Sequence, residues 1–352
     1  MNRRWICSDV WMDILPSFER VELGLKMALL SDRFDILVDT HFDGKSELRI
    51  WRIIRIDKDK GPKAQLSVRV NVKFVAFPFP DRPLPIKIRF KDLSIQYIDH
   101  SVIEFLRSNK QIWDRNGTNL DLFIDGDQKR NWDVFTSEIW PIFAPNIRHL
   151  YFPNADHLDN LRHRTSPTIL TDLDHLNSIN SYGLFPDAIG DDGPNATAGQ
   201  VLSQWLHTPS KDGQPKRLHC HDYFDESDLE WVNNFKEAFL HATTSVSYNI
   251  RITFYYTMPN EPFELVNERT NEKLTLTKER DRDGEISDWL LKRCPISVGE
   301  TSAAVQKDDN LHHLNGVNFI LYNDSIGPMS PPDQSDEKVF STPGPSDQQK
   351  NE

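Results

Sequence analysis

The chain carries 41 Lys and Arg against 53 Asp and Glu in 352 residues, a formal net charge of −12. That balance argues against a general nucleic-acid binder, whose affinity comes from clustered cations set against phosphates. With 38% apolar and 11% aromatic residues and a mean hydropathy of −0.57, there is material for a large core but no run of about 18 apolar residues to cross a membrane.

Cys7, Cys220 and Cys294 lie too far apart to form a disulfide framework or a CxxC metal site. No apolar stretch follows Arg3 and Arg4, so no signal peptide is read and the expected compartment is cytoplasm or nucleus. Asn-X-Ser/Thr sequons at Asn116, Asn195 and Asn323 read as chance matches in that setting.

The first forty residues carry helical spacing. Ser8 stands as an N-cap before residues 9–15, and Pro16 ends the run. In residues 21–30, Val21, Leu25 and Leu29 share one face, with Leu23, Met27 and Leu30 beside it. Ser31 is placed to cap a third helix whose Phe34, Leu37 and Val38 face inward. Three helices this short bury little surface by themselves and invite a partner.

From Gly44 the pattern is β. Residues 48–56 and 65–75 predict a hairpin around a long polar loop at 57–63. Four prolines in residues 77–85 predict an extended connector.

From residue 86 strands and helices alternate. The pattern predicts strands at 88–97, 119–124, 146–152, 215–220 and 249–256. It predicts helices at 101–107, 133–143, 201–208 and 228–240, with a weaker segment around Leu173, Leu176 and Ile179. Strand centres recur at intervals of roughly 27 to 40 residues, within the range of solenoid repeats, although an ordinary compact α/β domain gives the same alternation. Residues 263–266 and 273–276 predict a terminal hairpin. Residues 327–352, with five prolines and few apolar side chains, predict a disordered tail.

The N-terminal segment resembles an F-box. The resemblance is carried by residues 6–18, by Val21, Glu22, Leu23 and Leu25, and by residues 29–34. Cys7 stands where proline is usual in that family, and Phe34 where tryptophan is usual. The resemblance implies that Ile6, Val10, Ile14, Leu15, Phe18, Val21, Leu23, Leu25, Leu29 and Phe34 meet a Skp-type adaptor. Residues 79–93, 140–150, 231–239 and 262–274 are similar to a nematode-expanded family of F-box proteins, and the resemblance spans most of residues 5–325.

It implies the substrate-receptor position in a Skp/cullin/F-box ubiquitin ligase, holding a protein target of unstated identity. The expected fold class is then α/β (α+β overall): a three-helix F-box at 1–43, a β-hairpin and proline-rich connector at 44–85, an irregular leucine-rich-repeat-like α/β target-binding domain at 86–326, and a tail. Three other readings stay open: a helical cap on the following domain, a scaffold acting outside any ligase, and an enzyme with an unrecognised site.

Catalytic signatures do not appear. The sequence has no GxSxG, HExxH, P-loop or dinucleotide fingerprint, so neither enzyme activity nor a cofactor is expected. In residues 281–285 the glycine comes too early for a calcium loop, and the twelfth-position glutamate is missing. His219 and His221 fall on one strand face while Cys220 points inward, but no second ligand pair has zinc spacing, and His312 and His313 are weaker still. No metal is expected. Trp140 and Trp231 lie on apolar helix faces and read as core, whereas Tyr151, Tyr223, Tyr255 and Tyr256 are candidate interface anchors.

Overall fold

Alternation of apolar and polar residues at period two places one face of a strand inward, as in Thr118–Ile124 and Asn315–Leu321 of a mixed sheet of thirteen strands. A computed structural model describes residues 6–18, 22–41, 47–58, 61–70, 73–85, 88–222, 230–254, 261–280, 286–296 and 314–330. In chain order the strands are β1 (Glu47–Lys58), β2 (Gly61–Val70), β3 (Lys73–Phe77), β4 (Arg89–Ile95), β5 (Thr118–Ile124), β6 (Ile147–Phe152) and β7 (Ser178–Tyr182). They continue as β8 (Lys216–Asp222), β9 (Tyr248–Phe254), β10 (Phe263–Asn267), β11 (Glu272–Arg280), β12 (Ile286–Pro295) and β13 (Asn315–Leu321).

Their spatial order is β10-β11-β12-β9-β8-β7-β6-β5-β13-β4-β1-β2-β3. Strands β5 to β9 lie side by side in chain order, and with β13, β4 and β1 they form a continuous parallel block. Antiparallel strands close both ends.

The helices are α1 (Ser8–Ile14), α2 (Asp32–His41), α3 (His100–Ser108), α4 (Lys110–Asn116), α5 (Lys129–Val134), α6 (Trp140–Phe143), α7 (Ala155–Arg164), α8 (Ile169–Asp172), α9 (Ala198–His207) and α10 (Glu230–His241). Among the described residues, no helix is long and apolar enough to cross a membrane. Helix starts follow side-chain capping: Asp99 accepts from the Val102 amide, Asn154 from His157, and Thr197 with Gln200 forms a reciprocal capping box before α9.

Crossover helices pack on the face where Leu120, Leu122, Ile124, Val317, Phe319 and Leu321 are fully buried. Phe135, in a π-turn between α5 and α6, meets Phe319 at 5.1 Å, and Trp113 of α4 stacks on Phe90 at 5.1 Å. At the other end of the sheet an ion pair is sealed beneath α10. Arg293 donates to Glu272 through Nη2 at 2.7 Å and Nε at 3.1 Å, while Ser245 and the Val246 amide satisfy the second carboxylate oxygen. Burial would raise the Glu272 carboxyl, but the hydrogen bonds and charge of Arg293, with the bond from Ser245, outweigh it and hold it below its usual range.

Several expectations shift. Cys7, not Ser8, is the N-cap of α1, and its side chain makes no capping bond. The expected long loop at 57–63 is largely strand, because β1 and β2 pair as far as Lys58↔Gly61. The second run divides into β2 and β3, which pair through Val70↔Lys73. Residue 85 does not separate two structural units, since β1 joins β4 from Glu47↔Arg89 to Ile53↔Ile95.

The hairpin β10–β11 is not the end of the sheet's chain path: β12 ties it to β9, and β13 enters between β4 and β5. Gly316 permits that entry, because a Cβ there would collide with the Lys91 carbonyl. Asn315 locks it. Its Oδ1 accepts from the Phe90 amide at 3.0 Å, and its Nδ2 donates to the Ile112 and Gly117 carbonyls at 3.0 and 3.2 Å. The tail boundary moves as well, because the Gly327 amide donates to Ile98 and the Pro328 carbonyl accepts from His100. The rest of the expected tail, residues 331–352, lies outside the described residues.

Candidate functional site

Two surfaces carry side chains that the core does not use. The first is N-terminal. α1 runs into a 3₁₀ turn at Leu15–Ser17, and a π-turn at Leu23–Met27 continues as a 3₁₀ turn at Ala28–Leu30. The Ser31 hydroxyl accepts from the Phe34 amide at 3.4 Å and starts α2 as expected. Leu15, Leu23, Leu37 and Val38 join the same apolar core as Trp51, Ile53 and Ile88. The helices are thus fastened to the sheet.

The residues assigned to adaptor binding divide accordingly. Ile6 (46% exposed), Val10 (45%) and Phe18 (37%) face solvent. Ile14 and Phe34 are half-buried, and Phe34 meets Trp11 edge-on at 4.8 Å. Leu15 and Leu23 have no exposed surface, so in this conformation they brace the helices instead of offering contact. Val21 and the side chains of Leu25 and Leu29 lie outside the described residues. The structure adds Leu30 and Ile36, exposed at 63% and 67%. For Ile36 the signal in the sequence was position, on the helical face turned away from the buried Leu37 and Val38; Leu30 shares the helical spacing of the buried Leu23, so spacing did not mark it.

The second surface is the sheet face opposite the crossover helices. Strand pairing lines up Asn119, His149, Ser178, Arg217, Asn249 and Lys292 in one cross-strand row. Asn318, Asp121, Tyr151, Asn180, His219 and Arg251 form the next. Part of this lattice is internally paired. Arg251 bridges Glu279 at 2.9 Å and Asp288 at 3.1 Å, Thr253 donates to Asp288 at 2.6 Å, and His219 Nε2 lies 2.9 Å from the Thr253 hydroxyl. Asn318 donates to Asp92 at 2.7 Å, and His149 Nδ1 lies 2.9 Å from the Ser178 hydroxyl.

Another part is not paired. The Oδ1 atoms of Asn119, Asn180 and Asn249 and the Nη1 of Arg217 are buried with no hydrogen-bond partner among the described residues. Nearby charges feel the same desolvation. Burial, then the neighbouring Asp92, pushes the Asp121 carboxyl up to about 6. Burial, then His221, pushes the His219 imidazole down to about 4. His221 is also lowered by burial. Both histidines are therefore held toward the neutral form.

The strand reading of His219-Cys220-His221 fits this geometry. The two rings lie 3.9 Å apart on this face, and Cys220 is fully buried on the other. No group of three metal-ligating side chains forms among the described residues. Trp140 is core at 6% exposure, and Trp231 is half-buried against Phe185 and Phe235. Tyr151 lies on the polar face beside Phe123 at 5.1 Å. Tyr223, Tyr255, Tyr256, residues 281–285 and His312–His313 lie outside the described residues.

Comparison with known protein families, with curated proteins and with solved structures finds no match.

Proposed function

We propose that the chain is the substrate-recognition subunit of a Skp/cullin/F-box ubiquitin ligase. Its N-terminal helices dock on a Skp-type adaptor, and its leucine-rich-repeat-like α/β region holds a protein target. It performs no bond chemistry; holding the target near the transfer site raises its effective concentration there. The observation that carries this reading is the apolar surplus at the N-terminus. Five of the twelve exposed large apolar side chains among the described residues fall between Ile6 and Ile36, and apolar surface beyond a core's need marks interaction sites. The F-box resemblance names the kind of partner.

One observation favours a second reading, a helical cap acting in a scaffold outside any ligase. Leu15, Leu23, Leu37 and Val38 are spent on the sheet's own core. Adaptor capture separates the two. The full chain should co-purify with the Skp-type adaptor, and Val10→Asp with Phe18→Asp should abolish capture, since each charge placed in an apolar interface costs several kcal/mol. Both positions are exposed, so the unfolding midpoint should hold. No capture by the unaltered chain, or undiminished capture by the double variant, rules the adaptor reading out.

A further inference from the structure

The two edges of the sheet are finished differently. β10 is guarded: Pro262 precedes it, Glu264 pairs with Lys273 at 3.9 Å, and Lys236 of α10 lies over the Phe263 ring at 4.3 Å. Proline, charge and an overlying element are the means by which proteins blunt a strand edge. β3, at the opposite end of the sheet, runs Phe-Val-Ala-Phe after Lys73, and residues 73–76 are all exposed. Its one ladder is with β2, and no other backbone hydrogen bond reaches it among the described residues.

Both faces of that edge stop short. On the helix side, Trp51, Val68 and Val75 form one cross-strand row, exposed at 0%, 1% and 43%. The core therefore runs out to the edge and ends in solvent. On the reverse face, Phe74 is 41% exposed beside its cross-strand partner Arg69. Arg52 reaches across β2 from β1 and sets its guanidinium 4.2 Å from the centre of the Phe74 ring. Arg52 and Arg69 are both exposed and make no ion pair among the described residues.

A strand laid along β3 meets all of these groups at once. Its backbone pairs with the vacant N–H and C=O groups of the edge. Its side chains point alternately to the two faces. Apolar ones on the helix side extend the row from Trp51 through Val75, while carboxylates on the reverse reach Arg52 and Arg69 in forked pairs. A second copy of the chain would instead bring a second Arg52 and Arg69 toward the first, and like charges across a strand pair are destabilising.

We infer that the open edge of β3 takes an extended segment of a partner protein as a fourteenth strand, one in which acidic residues alternate with apolar ones. The site is separate from the N-terminal adaptor surface, and the inference does not rest on the adaptor reading.

The test uses the full chain, panned against a display library of random peptides about ten residues long, the upper length of a typical strand. Enriched sequences should alternate Asp or Glu with apolar residues. Once synthesised, these peptides should slow amide hydrogen exchange in residues 73–77 and leave residues 263–267 unchanged. Arg52→Glu with Arg69→Glu, and separately Val75→Lys, should each weaken binding at least tenfold, about 1.4 kcal/mol. All three positions are exposed, so the unfolding midpoint should hold. Peptides N-methylated at every second amide probe the ladder without altering the chain. Of the two possible sets, one should bind at least tenfold more weakly than the other, because only alternate N–H groups face a neighbouring strand.

No enrichment, enriched sequences without acidic residues, equal binding by the two N-methylated sets, unchanged affinity in the variants, or exchange slowed elsewhere than β3 overturns the inference. A concentration-dependent dimer in light scattering that Val75→Lys dissolves would make a second copy the occupant, and overturns it as well.

Discussion

The N-terminal helices and the parallel sheet carry opposite surpluses. In the helices the excess is apolar and outside, at Ile6, Val10, Phe18, Leu30 and Ile36. Polar contacts there are exposed ones, such as Lys26–Glu22 and Arg82–Asp32, which contribute little. In the sheet the excess is polar and shielded: Asn119, Asn180, Arg217 and Asn249 sit on a face whose reverse is filled with fully buried Leu and Ile. The contrast lies in where each surplus goes: apolar side chains are left facing solvent at the N-terminus, while polar atoms on the sheet are withdrawn from it.

The sharpest way to break this comparison is to remove β13. A chain ending at Ile296 leaves β4 and β5 without the strand that joins them and strands the groups that Asn315 satisfies. Such a chain should show no cooperative thermal transition. A sharp transition near the native midpoint would mean that the parallel block is not one unit.

Next in size, the helical segment should divide by burial. Leu23→Ala, at a fully buried site, should cost about 2–5 kcal/mol in urea unfolding. Leu30→Ala, at 63% exposure, should stay within about 0.5 kcal/mol. Equal costs would mean that the surplus is core after all.

The sheet face should announce itself in acid. His219, held near 4 when folded and near 6.5 when unfolded, leaves the unfolded chain binding more protons, so its contribution to stability rises from pH 4 to 6.5. Asp121, raised to about 6 from 3.8, leaves the folded chain binding more protons, so its contribution falls over nearly the same window. The two oppose, and Asp121→Asn should unmask a rise on the order of 2–3 kcal/mol between pH 4 and 6.5. An unchanged pH profile in that variant would show that Asp121 is not desolvated.

The smallest effect concerns the C-terminal boundary. A chain ending at Ser330 should match the full chain within about 0.5 kcal/mol. One ending at Ile326 loses the Gly327 and Pro328 hydrogen bonds and should fall by about 1–2 kcal/mol. Equal midpoints for the two chains would put the boundary back at Gly327.

The sequence made the alternating strands and helices of the central block legible, because period two and period 3.6 are local signals. β5, β6, β8 and β9 emerge close to where Leu120, Leu150, Leu218 and Ile250 place them. The helices α4 and α7 were missed because their apolar stripes are only two residues wide, Ile112–Trp113 and Leu158–Leu161, amid charged neighbours. The weak segment at Ile179 proved to be β7, whose five residues include two Ser and one Asn and so give little apolar alternation, Asn being depleted in strands.

Val317, Phe319 and Leu321 do alternate, yet nothing local reveals that their partners lie some two hundred residues earlier. The row that sets Asn119, Arg217 and Asn249 on one face is equally hidden, because it depends on register across five strands.

The placement of β13 also has a consequence for the order of events during synthesis. Its neighbours, β4 and β5, leave the ribosome some two hundred residues before it does, each lacking a hydrogen-bonding partner along one edge. Unpaired parallel edges are slow to close and open to association. The block can close only after β13 emerges, so nearly the whole described chain must be translated before its middle is sealed. A premature stop anywhere before Asn315 then yields a chain with an open centre instead of a shorter stable protein, a form suited to prompt removal by chaperones and proteases.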